Sequence, residues 1–423
     1  MRWLRALVGT AIFLLIIASG NLWAATVTIS CGAVGVELEL CREGANAWAA
    51  QSGHEVRVVS TPSATNERLA LYQQLLAAGA SDIDVLQIDV IWPGLLENHL
   101  RDLGTDLGAQ AGEHFPRIVE NNTIGDRLVA MPWFASVPLL YYRDDLLQKY
   151  EASVPRTWVE LEQVAQRIQA AEREAGNQRV WGYVWQGRAY EGLTCNALEW
   201  IAGEGGGTIV EQDGRISVSN PLAARAVGRA ARWVGAITPP GVLNYAEEDS
   251  RGVFQSGNAV FMRNWPYAWA LAQADDSPIR GKIGIAQLPA GTDGRSVATL
   301  GGWQLAVSRY SGNPEAAVDL VRYLVSRREQ RRRALAGSFL PTIPALYKDP
   351  ELVASVPFLD RLVPVIETSV ARPSTVTRSK YSQVTSAVWN AVHATLSGMK
   401  DAEASLTSLQ SRLQRMSRGG RAW

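Results

Sequence analysis

The chain has 423 residues, of which 47% are hydrophobic and 19% charged, an ordinary globular composition that on length alone divides into two or three domains. Lys+Arg and Asp+Glu both number 41, so no net charge draws it to nucleic acid or to an anionic membrane surface. Only 4 histidines occur, none at a two-ligand spacing with a cysteine or carboxylate on one helix face, so neither a metal nor another cofactor is expected.

Residues 1–24 carry Arg2 and Arg5, then an apolar run over 6–18, then Asn21-Leu-Trp-Ala-Ala25. This is the order of a secretory signal peptide, with its cut near Ala24 or Ala25. The apolar run is shorter than the ~20 residues a spanning helix needs. Thr28-Ile-Ser-Cys31 lacks the leucine that stands three residues before a lipidated cysteine, so a soluble exported product is expected. Exported chains favour disulfides, and Cys31 and Cys41 admit one bridge with Cys195 left free. Across so short a loop the bridge stabilises by roughly 2–3 kcal/mol on the chain-entropy account. Two separate buried thiols are the other reading.

From residue 27 the pattern is strand (27–30), glycine turn, helix (36–52), strand (56–60), helix (65–78), strand (84–88), then helix from Trp92. That βαβαβ rhythm predicts a parallel sheet with helices on both faces, and ligands collect outside the carboxyl ends of such strands. Asp89 stands at one such end, where ligand contact and helix capping are both open to it. Glu37 opens a helix, either as an acid favoured by the dipole or as a carboxylate at the mouth of the sheet.

Two apolar extended runs, 127–134 and 138–142, meet at 135–137 with no crossover helix between them, as in a kinked strand passing from one lobe to another. A helix over 144–150 follows. Thr157 with Glu160 is a capping-box pattern opening a helix to about 175. A strand over 180–184 precedes a helix over 191–202 that holds Cys195 as a small buried hydrophobe. Glu204-Gly-Gly-Gly-Thr208 lacks the lysine of a phosphate loop, and 209–217 reads as a hairpin. Helices over 221–237 and 247–254 come next.

Phe254-Gln-Ser-Gly-Asn-Ala-Val-Phe-Met-Arg-Asn-Trp-Pro-Tyr-Ala-Trp269 and Thr299-Leu-Gly-Gly-Trp303 each set a tryptophan beside proline or glycine. The strand over 259–262 ends at Trp265-Pro266, a break that throws aromatic rings out of the strand end. An indole offers a flat face to the C–H groups of a sugar ring, and Arg263 and Asn264 supply polar groups at the edge. Core filling is the plainer reading of any single tryptophan. The pair Gly301-Gly302 points instead to close backbone approach by a ligand.

A strand over 283–286 and a long helix over 313–333 follow. The basic run of that helix, 327–333, reads as a solvated helix end whose cations suit the dipole. Helices over 350–355, 358–367, 380–397 and 401–414 complete the chain, with fraying expected after Arg415.

With these pieces placed, the chain resembles the solute-binding component of an ATP-driven sugar importer, in the trehalose/maltose-binding branch of extracellular solute-binding family 1. The phrases that carry the resemblance are Asp89-Val-Ile-Trp92, Leu139-Leu-Tyr-Tyr-Arg143-Asp-Asp-Leu-Leu147, Trp185-Gln-Gly-Arg-Ala-Tyr-Glu-Gly192, Arg263-Asn-Trp-Pro-Tyr-Ala-Trp269, Ala274-Asp-Asp-Ser-Pro278 and Thr299-Leu-Gly-Gly-Trp303. The resemblance implies a type II periplasmic-binding-protein fold, with two α/β lobes that close on a sugar across a hinge. The first lobe is expected over 25–134 and 298–337, the second over 135–297 and 338–423. The resemblance further implies a non-enzymatic, periplasmic, monomeric protein that hands a disaccharide such as trehalose, maltose or sucrose to transmembrane permease subunits. It makes Glu37 and Asp89 hydroxyl acceptors, and Arg68 a further contact from the first lobe. Trp265 and Tyr267 become aromatic contacts, Gly302 and Trp303 backbone and stacking contacts, and Arg372 a donor.

Where the family commonly shows aromatic-x-Asp-x-Gly, this chain has Phe134-Ala-Ser136-Val-Pro138. One hydroxyl replaces a charged acceptor. Hydrogen bonds to charged groups are worth roughly 1.5–3 kcal/mol against about 1 for neutral ones, so affinity for one ring could change by about tenfold. Two other classes fit the same residues: a secreted glycoside hydrolase using Glu37 and Asp89 as its carboxylate pair, and a carbohydrate-binding protein that serves no importer.

Overall fold

The computed structural model describes residues 24–292, 295–356, 358–419 and 423. The signal peptide expected over 1–24 therefore lies, Ala24 apart, outside the described residues. The strands are β1 (Thr26–Cys31), β2 (Glu55–Ser60), β3 (Val85–Asp89), β4 (Thr123–Ile124), β5 (Arg127–Leu128), β6 (Met131–Ser136), β7 (Leu139–Arg143), β8 (Trp181–Val184), β9 (Ala259–Asn264), β10 (Ile283–Ala286) and β11 (Gly301–Val307). A five-stranded sheet in the order β2-β1-β3-β11-β6 builds one lobe, and a four-stranded sheet in the order β10-β7-β9-β8 builds the other.

In the first sheet β1 pairs in parallel with β2 and β3, as the βαβαβ rhythm demands. Every residue of β3, and all of β1 but Thr26, is buried, the pattern of strands covered by helices on both faces. Helix Glu37–Ser52 turns Leu40, Cys41, Gly44, Ala45 and Trp48 inward at helical spacing and stops at Gly53, whose φ of 76° is the left-handed cap. The sheet is nevertheless mixed, not parallel throughout, because β11 runs antiparallel to both β3 and β6. β11 arrives from the other lobe at the end where β3 finishes, and so has to run back against it.

Around the second sheet, helix Glu191–Gly203 is buried along its whole length. The rings of Trp185, Trp200 and Trp233 meet edge-on at centroid distances of 4.9 and 6.0 Å in the core against it. Among the described residues Trp48, Trp92, Trp133, Trp158, Trp185, Trp200 and Trp233 are buried in the core, while Trp265 and Trp303 are only partly buried. The chain passes between sheets at Val137-Pro138, after β6 has carried Ala135 and Ser136 into the first sheet, two residues past the expected boundary at 134. Leu340 bridges Ala135 there, so the segment after the last helix of the first lobe lies beside that crossing.

Several local expectations are corrected. The helix expected over 313–333 is two, Pro314–Leu324 and Arg327–Gly337. Val325 ends the first and Ser326 caps the second, its hydroxyl accepting from the Glu329 amide at 3.4 Å. The basic run thus opens a helix instead of closing one, and it is not simply solvated. Arg331 pairs with Asp349 at 2.9 Å, Arg332 with Glu43 and Glu329, and Arg333 is only 1% exposed. Residues 209–217 hold a single bridge, Val210 to Ile216, instead of a hairpin of strands, and the helix from Pro221 stops at Trp233. Of the tail expected to fray, 420–422 lie outside the described residues, while the Trp423 indole donates to the Gly214 carbonyl at 2.9 Å. Among the described residues no helix is long and apolar enough to cross a membrane.

Cys31, at the end of β1, is bridged to Cys41 in the following helix with a Cα–Cα distance of 6.5 Å, and Cys195 is free and buried. The bridge ties down the turn that leads to Glu37. Burial pushes the Cys195 thiol up to about 12, beyond the range of ready reaction. Thiol titration is therefore expected to find no reactive group in the native protein, one per chain after denaturation without reductant, and three after reduction. Three groups before reduction would remove the bridge.

Candidate binding cleft

A cavity that opens to solvent lies between the lobes. Its walls are strand ends and helix starts. Asp89 ends β3, Phe134 and Ser136 end β6, and Gly301, Gly302 and Trp303 begin β11. Trp265 and Tyr267 follow the end of β9, and Arg372 comes from the loop before helix Ser374–Thr377. Glu37, Glu191 and Glu247 are each the first residue of a helix, where the partial positive charge of the helix N-terminus favours a carboxylate.

The glycine at 302 is a steric requirement. Its φ is 131°, and a Cβ there would sit 2.7 Å from the Phe134 carbonyl oxygen. A side chain would push β11 off β6 and turn Trp303 away from the cavity. As it stands, Trp303 pairs across to Asp89 and Phe134 and meets Trp92 edge-on at 5.7 Å. Trp265 is held at its backbone, where its N–H donates to Asn264 Oδ1 at 2.8 Å and its carbonyl accepts from the Tyr141 hydroxyl at 2.8 Å. Its indole N–H donates to Glu247 Oε1 at 3.3 Å, and the other oxygen of Glu247 accepts from the Tyr190 hydroxyl at 2.7 Å. Tyr267 is 5% exposed, packs on Gly35 and donates its hydroxyl to Glu248 at 2.7 Å.

One ion network spans the cavity. Arg372 donates to Asp89 Oδ1 at 2.9 Å from one nitrogen and to Glu191 Oε1 at 3.0 Å from another. Glu191 is also served by Tyr381 at 2.5 Å and Thr385 at 2.8 Å. Burial alone works against the Arg372 charge, but Asp89 and the other anionic partners outweigh it and hold the guanidinium well above its ordinary value. Burial raises the Asp89 carboxyl despite the opposing pull of Arg372. Asp89 Oδ1 also accepts from the Ile91 amide at 3.1 Å. Oδ2 has no hydrogen-bond partner among the described residues. On the first lobe Glu37 accepts from the Gln87 side chain and, at 3.4 Å, from the Val34 amide.

Of the residues named from sequence, Glu37, Asp89, Phe134, Ser136, Trp265, Tyr267, Gly302, Trp303 and Arg372 line this one cavity, and Arg68 does not. Arg68 is fully buried behind Trp303, its guanidinium 4.2 Å from the ring centroid and its Nε donating to the Pro62 carbonyl at 3.0 Å. Glu191, Glu247 and Phe339 line the cavity without having been singled out, as does Cys195, expected only as a small buried hydrophobe and not as part of a site. The signal available for the two glutamates was the one used for Glu37, an acid opening a helix. Cys195 and Phe339 carried none, because only packing brings them there. The arrangement offers flat aromatic faces from both lobes with carboxylate acceptors and one guanidinium at their edges, which suits a neutral polyhydroxylated ring.

A family profile described as bacterial extracellular solute-binding protein matches residues 41–331. A Deinococcus radiodurans protein named "Probable ABC transporter-binding protein" is 50% identical over 408 residues, 96% of each chain. Among solved structures, the maltose-bound MalE3 of T. maritima is similar at a TM-score of 0.88 and 39% identity, over 93% of this chain and 100% of that one. The GacH receptor of Streptomyces glaucescens, solved unliganded and with acarbose, has the same fold at a TM-score of 0.81 and 21% identity, over 93% of this chain and 98% of its own.

If these rings are stacking platforms, Trp265→Ala and Trp303→Ala are each expected to weaken sugar binding by more than tenfold, with cooperative unfolding retained. Calorimetric titration and thermal melts check both. Wild-type affinity in either variant, or an unfolded protein, would return that ring to the core.

Proposed function

As the chain belongs to the bacterial extracellular solute-binding protein family, we propose that it is the sugar-binding component of an ABC importer and captures a disaccharide of the trehalose, maltose or sucrose type for transfer to permease subunits. The observation that carries this reading is the convergence of Trp265 and Tyr267 from one lobe with Trp303 and Phe134 from the other on a cavity edged by Glu37, Asp89, Glu191, Glu247 and Arg372. Stacking faces bind the C–H surfaces of sugar rings, and fixed acceptors bind their equatorial hydroxyls.

We place the first lobe at 25–136 with 298–337 and the second at 137–297 with 338–423, a monomer working in the periplasm after loss of its signal peptide. Sugar entering the cleft closes it by adding contacts to both lobes at once. Arg188 in the second lobe reaches Glu67 in the first at 2.9 Å, an exposed pair across the rim that contributes little alone and adds to closure. The hydrolase reading is disfavoured by the engagement of both carboxylates it requires: Asp89 shares an oxygen with Arg372, and both oxygens of Glu37 accept hydrogen bonds. The relative named as a transporter-binding protein favours an importer over a stand-alone carbohydrate binder.

A thermal-shift screen across disaccharides tests the reading, since a ligand at 100 times its dissociation constant stabilises the folded state by about 2.7 kcal/mol. No shift with any sugar would overturn it. Specificity is expected at Ser136, which pairs with Gly301 at the cavity wall. A carboxylate there adds a charged acceptor for one ring, so Ser136→Asp is expected to tighten trehalose or maltose by about tenfold. A ligand whose ring carries a group that a carboxylate repels would bind the variant more weakly. Titration of both forms against trehalose, maltose and sucrose decides between these. Unchanged binding of every sugar would take position 136 out of recognition.

A further inference from the structure

Arg263 is fully buried at the penultimate position of β9, and all of its nitrogens are engaged. Its Nε and Nη2 clasp Glu199 in a two-pronged pair at 3.0 and 2.5 Å, and Nη1 donates to Gln186 Oε1 at 2.9 Å. Glu199 lies on the buried helix Glu191–Gly203 and is 1% exposed. The guanidinium fixed in this way sits 4.2 Å from the centroid of the Trp265 ring. The benzo edge of the same ring abuts Gly301, where a Cβ would come within 3.0 Å of Cζ3. With Glu247 on the indole N–H, the ring is held behind, along one edge and at its nitrogen.

A buried ion pair is seldom more stabilising than an apolar pair of the same volume, so stability alone gives no reason for this one. What it does supply is a flat, immobile cation behind an aromatic platform. The other lobe repeats the device: Arg68, equally buried, stacks on Trp303 at the same 4.2 Å. The two tryptophans that line the cavity are thus each backed by a concealed guanidinium.

Building on the sugar-binding reading, we propose that Arg263, clamped by Glu199, is a positioning residue that fixes the plane of Trp265 before the ligand arrives. It touches no ligand itself. Immobilising a side chain in advance removes an ordering cost that binding otherwise carries, which corresponds to about threefold to tenfold in affinity.

The test compares the wild-type protein with the double variant Arg263→Met/Glu199→Met, which removes both charges together and keeps apolar volume. Arg263→Lys keeps the ion pair but loses the flat face, and serves if the double variant does not fold. Maltose and trehalose affinities are measured by calorimetry. The mobility of Trp265 is read from its fluorine resonance in 5-fluorotryptophan-labelled protein, assigned with Trp265→Phe. The expected result is a three- to tenfold weaker dissociation constant, with a Trp265 resonance that is broad or split without sugar and sharpens when it is added. A purely structural pair would lower the melting temperature and leave the resonance and the affinity as they are, which would overturn the proposal. If no sugar binds even the wild-type protein while the resonance still broadens in the variant, the sugar reading fails and the positioning role of Arg263 stands.

Discussion

Arg372 is the point on which the two lobes agree. It is 3% exposed, and it donates to Asp89 from the first lobe and to Glu191 from the second. In a buried setting, losing one partner of such a set is far more damaging than the set is stabilising, because the remaining charge is left desolvated and alone. The network therefore holds these lobes in register more strictly than it strengthens the fold. Tyr381 and Thr385, on the helix Tyr381–Leu396, complete the coordination of Glu191. The C-terminal helices are thereby wired into the floor of the cavity, far in sequence from the strands that form its walls.

The acids that face the cavity share a local origin. Glu37, Glu191 and Glu247 each open a helix, and Asp89 closes a buried strand. Helix starts and strand ends gather at the same edge of an α/β sheet, so carboxylates at those positions converge without any being adjacent in sequence. Aromatic rings reach the same place by another route. The break at Trp265-Pro266 ends β9, and the glycine at 302 lets β11 lie close enough to β6 for Trp303 to look into the cleft. Stiffness comes from behind the walls, in Arg263 under Trp265, Arg68 under Trp303, and Arg333 3.8 Å from the Trp133 ring and 5.1 and 4.8 Å from those of Phe134 and Phe339. Arg333 has no hydrogen-bond partner among the described residues, and burial pulls it down to about 9. The rings around it and the nearby Glu37 and Glu329 favour the cation against that burial.

Some of this was determined by the sequence alone, because the signals are local. Alternation and helical spacing place β1 to β3 and the helices between them. The Thr157 cap opens Trp158–Glu174, where its hydroxyl accepts from the Glu160 amide at 3.2 Å. The ends of β3 and β9 put Asp89 and Trp265 at sheet edges before any packing is known. Tertiary structure alone decided the rest. Whether β11 runs with or against β3 depends on the lobe from which it returns. The helical pattern over 313–333 does not reveal the break at Ser326, since both halves keep the same spacing. The identical local signal at Glu37, Glu191 and Glu247 becomes one site only when two sheets face each other. The basic run 327–333 looked solvated because charge favours water, yet Arg333 is buried among aromatic rings that lie nearly two hundred residues away at Trp133 and Phe134 or close by at Phe339. Local patterns record what a residue prefers, while burial and partners are properties of the packed whole.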